Sequence, residues 1–458
     1  MRDLFRSKQN LNPLKIMKKN IVHSLRTCIF SAMLCLLASA AMAATQIDIY
    51  GPGQNMVNLA MATPLSNGKA ATAMGAELDK AIQHNLSFLP FMRLTSPQAV
   101  LGGALLAGHK PPNIDFKRFQ LAGADLLVTA GWPSGDADGA TVELTLLETS
   151  SGQAMFSSSY PQVTKDRLWF VADQFCADLM KALTGNGDFF KSTLAFIKTG
   201  SEQYRKDVWM GRPTGRDIRQ VTNITGTALS PAWSRDGRFL VFTHIDKQSH
   251  SLGVWDREGN RLQRIRFPGN MVVAPSFTPD NRVAVSLATT NNPDIYLLDY
   301  RFQKERPLET GSSINIAPTF DQTGNLMAFC SSRLGGPQIF VKDLRNGTIT
   351  RISRQGNYNT EPFISPDGTL VAFSRLTDSG HRIFVYDMLT GFERQVSFGP
   401  GSDEQPSFAP DSYFLAYSST RQGGRQIYLT TRHGGEAKHV PTGGGESSFP
   451  RWGILPQP

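Results

Sequence analysis

From about residue 190 to the end, apolar positions recur every second residue in short runs. One set reads Leu240/Phe242, Val283/Val285, Met327/Phe329, Val371/Phe373 and Leu415/Tyr417. A second set is more regular still: LGVWD (252–256), IYLLD (295–299), IFVKD (339–343), IFVYD (383–387) and IYLTT (427–431). A third places one apolar residue per copy, at Ile265, Leu308, Ile352, Val396 and Val440. Period-two alternation rich in β-branched and aromatic residues predicts strands rather than helices.

A fourth segment precedes each of these sets and carries a proline. It reads SPAWSRDG (230–237), VAPSFTPDN (273–281), IAPTFDQTG (316–324), TEPFISPDG (360–368), EQPSFAPDS (404–412) and SFPRWG (448–453). The prolines, Pro231, Pro275, Pro318, Pro362, Pro406 and Pro450, are 44, 43, 44, 44 and 44 residues apart. A bulky residue follows two positions on: Trp233, Phe277, Phe320, Ile364, Phe408 and Trp452. An aspartate comes five after the proline in Asp236, Asp280, Asp367 and Asp411, with Thr323 in the third copy. Gly237, Gly324 and Gly368 then supply the positive φ of a tight hairpin. Four strands in about 44 residues is the unit of a β-propeller blade.

The ends of the repeat region complement each other. LAFIK (194–198), VWMGR (208–212) and Val221 match the later segments of a unit without its proline strand, whereas SFPRW supplies a proline strand and little follows it. One blade completed from both ends closes the ring and removes open sheet edges. The expected architecture is six blades. The paired Gly-His and Trp-Asp marks of WD40 repeats are absent, Trp255–Asp256 standing alone.

The first third of the chain has a different pattern. Residues 46–50 predict a short strand, 68–85 a helix, DLLVTAGW (125–132) and TVELTLLE (141–148) strands. Residues 164–183 predict an amphipathic helix with Leu168, Val171, Ala172, Phe175 and Leu179 on one face. This is an α/β domain, expected over 44–186, with GNGD marking the junction to the propeller at 187–458.

Composition changes the picture at one end. The net charge of +9 is concentrated: residues 1–43 hold seven Lys/Arg and one Asp, and the remainder carries only +3 with both signs interspersed. No basic face for nucleic acid is implied. From Met17, taken as the start, a basic stretch leads into TCIFSAMLCLLASA and a small-x-small site ending at Ala43, the layout of a cleavable export signal. The apolar run is too short for a transmembrane helix, so no membrane span is expected after cleavage; a retained anchor is the alternative. Cleavage leaves Cys176 and Cys330, and no disulfide scaffold is implied.

Chemistry is sparse. There is no G-x-S-x-G elbow, no HExxH or H-x-x-x-H pair and no Walker loop, and GGALLAG (102–108) reads as a loop or helix start. Catalytic, cofactor and metal sites are therefore all expected to be absent. The serine and aspartate of SPAWSRDG read as a turn brace rather than a catalytic pair. The recurrent Arg333, Arg375 and Arg421 could hold an anion or brace their loops. Variation is concentrated just before each proline, at Thr227, Met271, Ala274, Ile316, Thr360, Glu361, Glu404 and Gln405. Inner strands line a propeller's channel, so these residues are expected at one mouth of it, as a binding rim.

The signal, the small α/β domain, the P-x-W/F-S-x-D-G repeats and the I-Y/F-V-x-D strands together resemble the TolB family, as do LTG (183–185) leading into FFKSTLAFI (189–197) and the closing FPRWG. The resemblance covers about 44–458. It implies a non-enzymatic, monomeric periplasmic component of the Tol–Pal envelope system, supporting outer-membrane integrity and cell division, without cofactors. It implies that the peptidoglycan-associated lipoprotein Pal docks on the propeller rim at Met271, Ala274, Ile316, Thr360, Glu361, Glu404 and Gln405. It further implies that the inner-membrane protein TolA binds the arm Thr45, Gln46, Ile47, Asp48, Ile49 and Tyr50, whose strand-like pattern suits edge addition, and it leaves room for other outer-membrane partners. The alternative is a propeller enzyme or carbohydrate-binding protein acting on envelope polymers, with carboxylates, histidines or a metal in the channel.

Overall fold

The computed structural model describes residues 56–200, 205–247, 249–269, 271–288 and 292–454. The export signal, the arm at 44–53 and the strand at 46–50 lie outside the described residues.

The first region is a sheet with helices on both faces. Val57–Met61 lies parallel between Met92–Leu94 and Leu126–Trp132. Ala140–Glu148 and Ala154–Val163 extend the sheet antiparallel beyond Leu126–Trp132. Two helices, α1 (Met74–Ser87) and α3 (Leu168–Thr184), pack together over one face, with Phe175 against Phe156 at 5.5 Å between ring centroids. The short α2 (Phe116–Leu121), capped by Asp115, brings Phe119 into the opposite core with Leu65, Leu106, Leu127 and Leu147. The helix expected over 68–85 begins only at Met74, because Lys69–Ala70 pairs as a hairpin with Leu65–Ser66. The alternation in 57–61 and 154–163 went unread: the first run is short and the second carries Ser, Tyr, Pro and Gln.

The propeller region is four separate four-stranded sheets and one eight-stranded sheet. The larger sheet is two such units bridged by a single parallel pair, Thr227 with Lys206. In the closing unit, Ser447–Ile454 pairs antiparallel with Ser192–Thr199, so the two ends of the repeat region share one sheet. The six proline strands start at Thr227, Met271, Asn315, Asn359, Asp403 and Ser447; each packs against the next, and the last returns to the first. This arrangement fits the expected six-bladed ring. Val254, Leu297, Val341, Val385 and Leu429 of the third strands are buried, as their alternation requires.

The turns show what the serine and aspartate do. Ser234 Oγ accepts from Phe239 N at 2.8 Å and donates to Asp236 at 2.5 Å; Ser365, Leu370 N and Asp367 repeat the arrangement. In the third copy Asp321 takes over, accepting from Leu326 N at 2.8 Å and from Thr323. Among the described residues Cys176 and Cys330 are free and buried.

Candidate functional site: the channel and its rim

Every inner strand is interrupted at its proline. Pairing with the second strand slips by one residue between Leu229 and Ala232, Val273 and Ser276, Ile316 and Thr319, Thr360 and Phe363, Glu404 and Ser407, and Ser448 and Arg451. Each slip is a β-bulge, and five of the six proline strands also lie at the edge of their sheets; both settings accept a residue with no N–H to donate. The residue before the proline takes a positive φ in all six copies: Ser230 (49°), Ala274 (48°), Ala317 (56°), Glu361 (55°), Gln405 (61°) and Phe449 (52°). None is glycine, and the left-handed region costs an L-residue about 1–2 kcal/mol. The bulge turns some of these N–H groups toward the preceding blade. Ala274 N reaches Thr243 Oγ1 at 3.2 Å, Gln405 N reaches Glu361 Oε2 at 2.8 Å, and Phe449 N reaches Gln405 Oε1 at 3.0 Å.

The same bulges present those six residues to the channel. At one mouth lies a cavity of about 470 Å³ lined by Met271, Val273, Ile314, Ile316 and Phe449 together with Glu361, Gln405 and Arg451. Of the expected rim residues, Met271, Ala274, Ile316, Glu361 and Gln405 meet here. Thr360 is absent from the lining, its backbone paired with Ser374; Thr227 is absent too. Glu404 turns to the neighbouring loops instead, 2.7 Å from Arg425 Nη1 and 3.8 Å from His381 Nδ1. Ser230, Ala317 and Phe449 were missed although they occupy the pre-proline position that singled out Ala274, Glu361 and Gln405. Arg451 was missed because only the ring closure brings it opposite Glu361.

The throat is electrostatically tense. Burial pushes the Glu361 carboxyl up and Glu404 adds to that, while Ser374 Oγ, at 2.8 Å, and Gln405 N–H pull it back. Burial lowers the Arg451 guanidinium to about 10, against the opposing field of Glu361. Arg451 is held by Pro406 O at 2.9 Å and stands 4.8 Å over the Phe363 ring. Among the described residues no group of three or more His, Cys, Asp or Glu could hold a metal ion.

The recurrent arginines are braces. Arg333 pairs with Glu309 at 2.6 Å, Arg375 with Glu393 at 2.6 Å and Arg421 with Asp403 at 3.1 Å. Each guanidinium also covers two aromatic rings, Phe329/Phe340, Phe373/Phe384 and Tyr417/Tyr428 respectively. That leaves them little capacity for a ligand anion.

Residues 180–456 match the family described as the TolB beta propeller domain. The chain belongs to the TolB family. It is 60% identical over 305 residues to the Tol-Pal system protein TolB of Nitratidesulfovibrio vulgaris, covering 66% of this chain and 69% of that one. It is 28% identical over 299 residues to a TolB homolog of Chlorobium luteolum, covering 65% of this chain and 67% of the other. The crystal structure of TolB from Acinetobacter baumannii superposes with a TM-score of 0.73 at 21% identity, over 88% of this chain and 97% of that one, which supports the shared fold. With TolB membership goes a role as a Tol–Pal system protein. No helix among the described residues is long and apolar enough to cross a membrane.

Proposed function

We propose that this TolB-family chain is a periplasmic, non-catalytic adaptor with an α/β domain over 44–186 and a propeller over 187–458, which docks Pal at the channel rim and TolA through residues 44–53. The observation that carries the rim reading is the bulge: six copies of one strained backbone position, filled by six side chains of differing size and charge, around an open apolar cavity. Non-glycine residues kept at positive φ around an open mouth support reading it as a binding position. The lining suits a protein segment that brings an apolar anchor past Met271 and Ile314, which are 37% and 41% exposed, and a polar group toward Glu361 and Arg451. The N-terminal arm rests on its alternating TQIDIY pattern, which fits strand addition to a partner's sheet.

Titration of the mature full chain with the periplasmic domain of the cognate Pal tests the rim. Saturable binding at micromolar or lower concentration is expected, and its absence would overturn the reading. Deleting residues 44–53 should abolish TolA binding and leave Pal binding intact; unchanged TolA binding would sink the second half.

A further inference from the structure

Past the prolines the channel opens again, into a cup of about 200 Å³ walled by Trp233, Phe277, Phe320, Phe408 and Trp452. A smaller cavity of about 120 Å³ joins the two mouths. It shares Ser230, Ala274, Ala317 and Arg451 with the rim, and Trp233, Phe277, Phe320 and Trp452 with the cup. Prolines and aromatic rings make up much of this waist, and Arg451 is the one charged group among the described residues that line it.

Arg451 departs from the repeat. The residue after each proline is Ala232, Ser276, Thr319, Phe363, Ser407 and Arg451 in turn. Thr319 Oγ1 and Ser407 Oγ accept from the next blade, from Ile364 N at 3.1 Å and Trp452 N at 3.5 Å. A guanidinium has no acceptor to offer in that role. Its own bonding is thin: among the described residues Nη1 donates to Pro406 O at 2.9 Å, and the Phe363 ring lies 4.8 Å away. Glu361 does not pair with it; Glu361 Oε2 accepts from Ser374 Oγ and Gln405 N, both at 2.8 Å. Even lowered to about 10, the guanidinium stays charged at neutral pH. A cation in the channel with most of its N–H donors unused favours an anion beside it.

The walls select which anion. A carboxylate is planar and meets the guanidinium fork with two parallel hydrogen bonds. It carries one charge on an apolar stem, which suits prolines and rings. A phosphate would bring more charge toward Glu361 and needs more donors than these walls supply. We propose that the waist is a carboxylate site gripped by Arg451, and that the segment seated on the rim supplies the group as an acidic side chain. The second half rests on the rim reading; the first half does not.

Calorimetric titration of the mature chain with hexanoate, with hexanol and with inorganic phosphate tests the first half. Hexanoate should bind at least about tenfold more tightly than hexanol, the scale of one charged hydrogen bond, and phosphate should not displace it. This comparison uses the unaltered chain, so it holds whatever a variant does to folding. Arg451→Met, which keeps an apolar stem over Phe363, should lose that preference and bind both ligands like hexanol. Equal binding of hexanoate and hexanol by the unaltered chain overturns the carboxylate site, as does displacement by phosphate or an undiminished preference in Arg451→Met. For the second half, saturating hexanoate should weaken binding of the Pal periplasmic domain by about tenfold and leave Pal binding to Arg451→Met unaffected. Pal binding that ignores both hexanoate and the substitution overturns that half, leaving a site for a free carboxylate. Failure of Pal to bind at all removes the rim reading and the second half with it, while the hexanoate result stands by itself.

Discussion

The two mouths of the channel are built from the same six strands and are almost opposite in character. After the prolines the copies agree: Trp, Phe, Phe, Ile, Phe, Trp, mostly buried, with Trp452 Nε1 tied to Ser407 O at 3.0 Å. Before the prolines they diverge: Ser, Ala, Ala, Glu, Gln, Phe. The agreeing half carries the packing between neighbouring blades, where each ring must fill the space its equivalent fills elsewhere. The diverging half is released from that duty by the bulge. There the backbone conformation is held in common and the side chain is left to vary.

The sharpest way to break this comparison is on the packed side. Trp452→Ala removes a buried indole at the ring's closure and should cost about 3–5 kcal/mol in urea unfolding; a loss under about 1 kcal/mol would mean that closure contributes little. On the variable side the expected effect is on binding alone. Met271→Glu should weaken Pal binding by about 30-fold, the scale of a hot-spot residue of about 2 kcal/mol. Its unfolding free energy from urea titration should stay within about 0.5 kcal/mol of the parent.

A third test lies at the fifth turn, where Ala409 stands in place of the Ser, Thr or Asp of the first four copies. Asp411 therefore accepts only from Tyr413 N and Phe414 N, at 2.8 and 3.1 Å, and its Oδ2 is buried without a partner. Burial raises its carboxyl from 3.8 to about 6, with Asp188 adding to the effect. The folded state thus holds this proton more tightly than the unfolded chain. The penalty is absent below about 3.8, grows as pH rises and is complete above about 6. Asp411→Asn keeps the accepting oxygen and should stabilise the protein by about 1–3 kcal/mol at pH 7. That gain should vanish by pH 3.5, as paired unfolding curves across pH would read. The smallest expected effect probes the bulge itself. Ala317→Gly relieves a positive φ of 56° but adds chain entropy, for a net gain under about 1 kcal/mol. A loss instead would mean that the methyl group's packing outweighs the strain.

Much of this architecture was legible in one dimension. A proline every 44 residues and two alternating runs per period are enough to give blades, and the mismatch between the ends of the repeat region gives the closure. The α/β region was read less completely, since Val57–Met61 and Met92–Leu94 are too short to show a clear period and are strands because Val57–Met61 pairs with Leu126–Trp132 on one side and with Met92–Leu94 on the other. At the rim, Met271, Ala274, Ile316, Glu361 and Gln405 were found by their place before a proline. The same rule extended one residue at a time would have reached Ser230, Ala317 and Phe449.

By itself the sequence determined the repeat, the ring and the turn chemistry, because each depends on residues close together in the chain: a Ser–Asp–Gly brace is complete within a few positions. Only the tertiary structure decided that each proline sits in a bulge, since a bulge is a mismatch with a neighbouring strand. It alone set Arg451, from the last strand, opposite Glu361, in an earlier blade, because their meeting depends on the ring having closed.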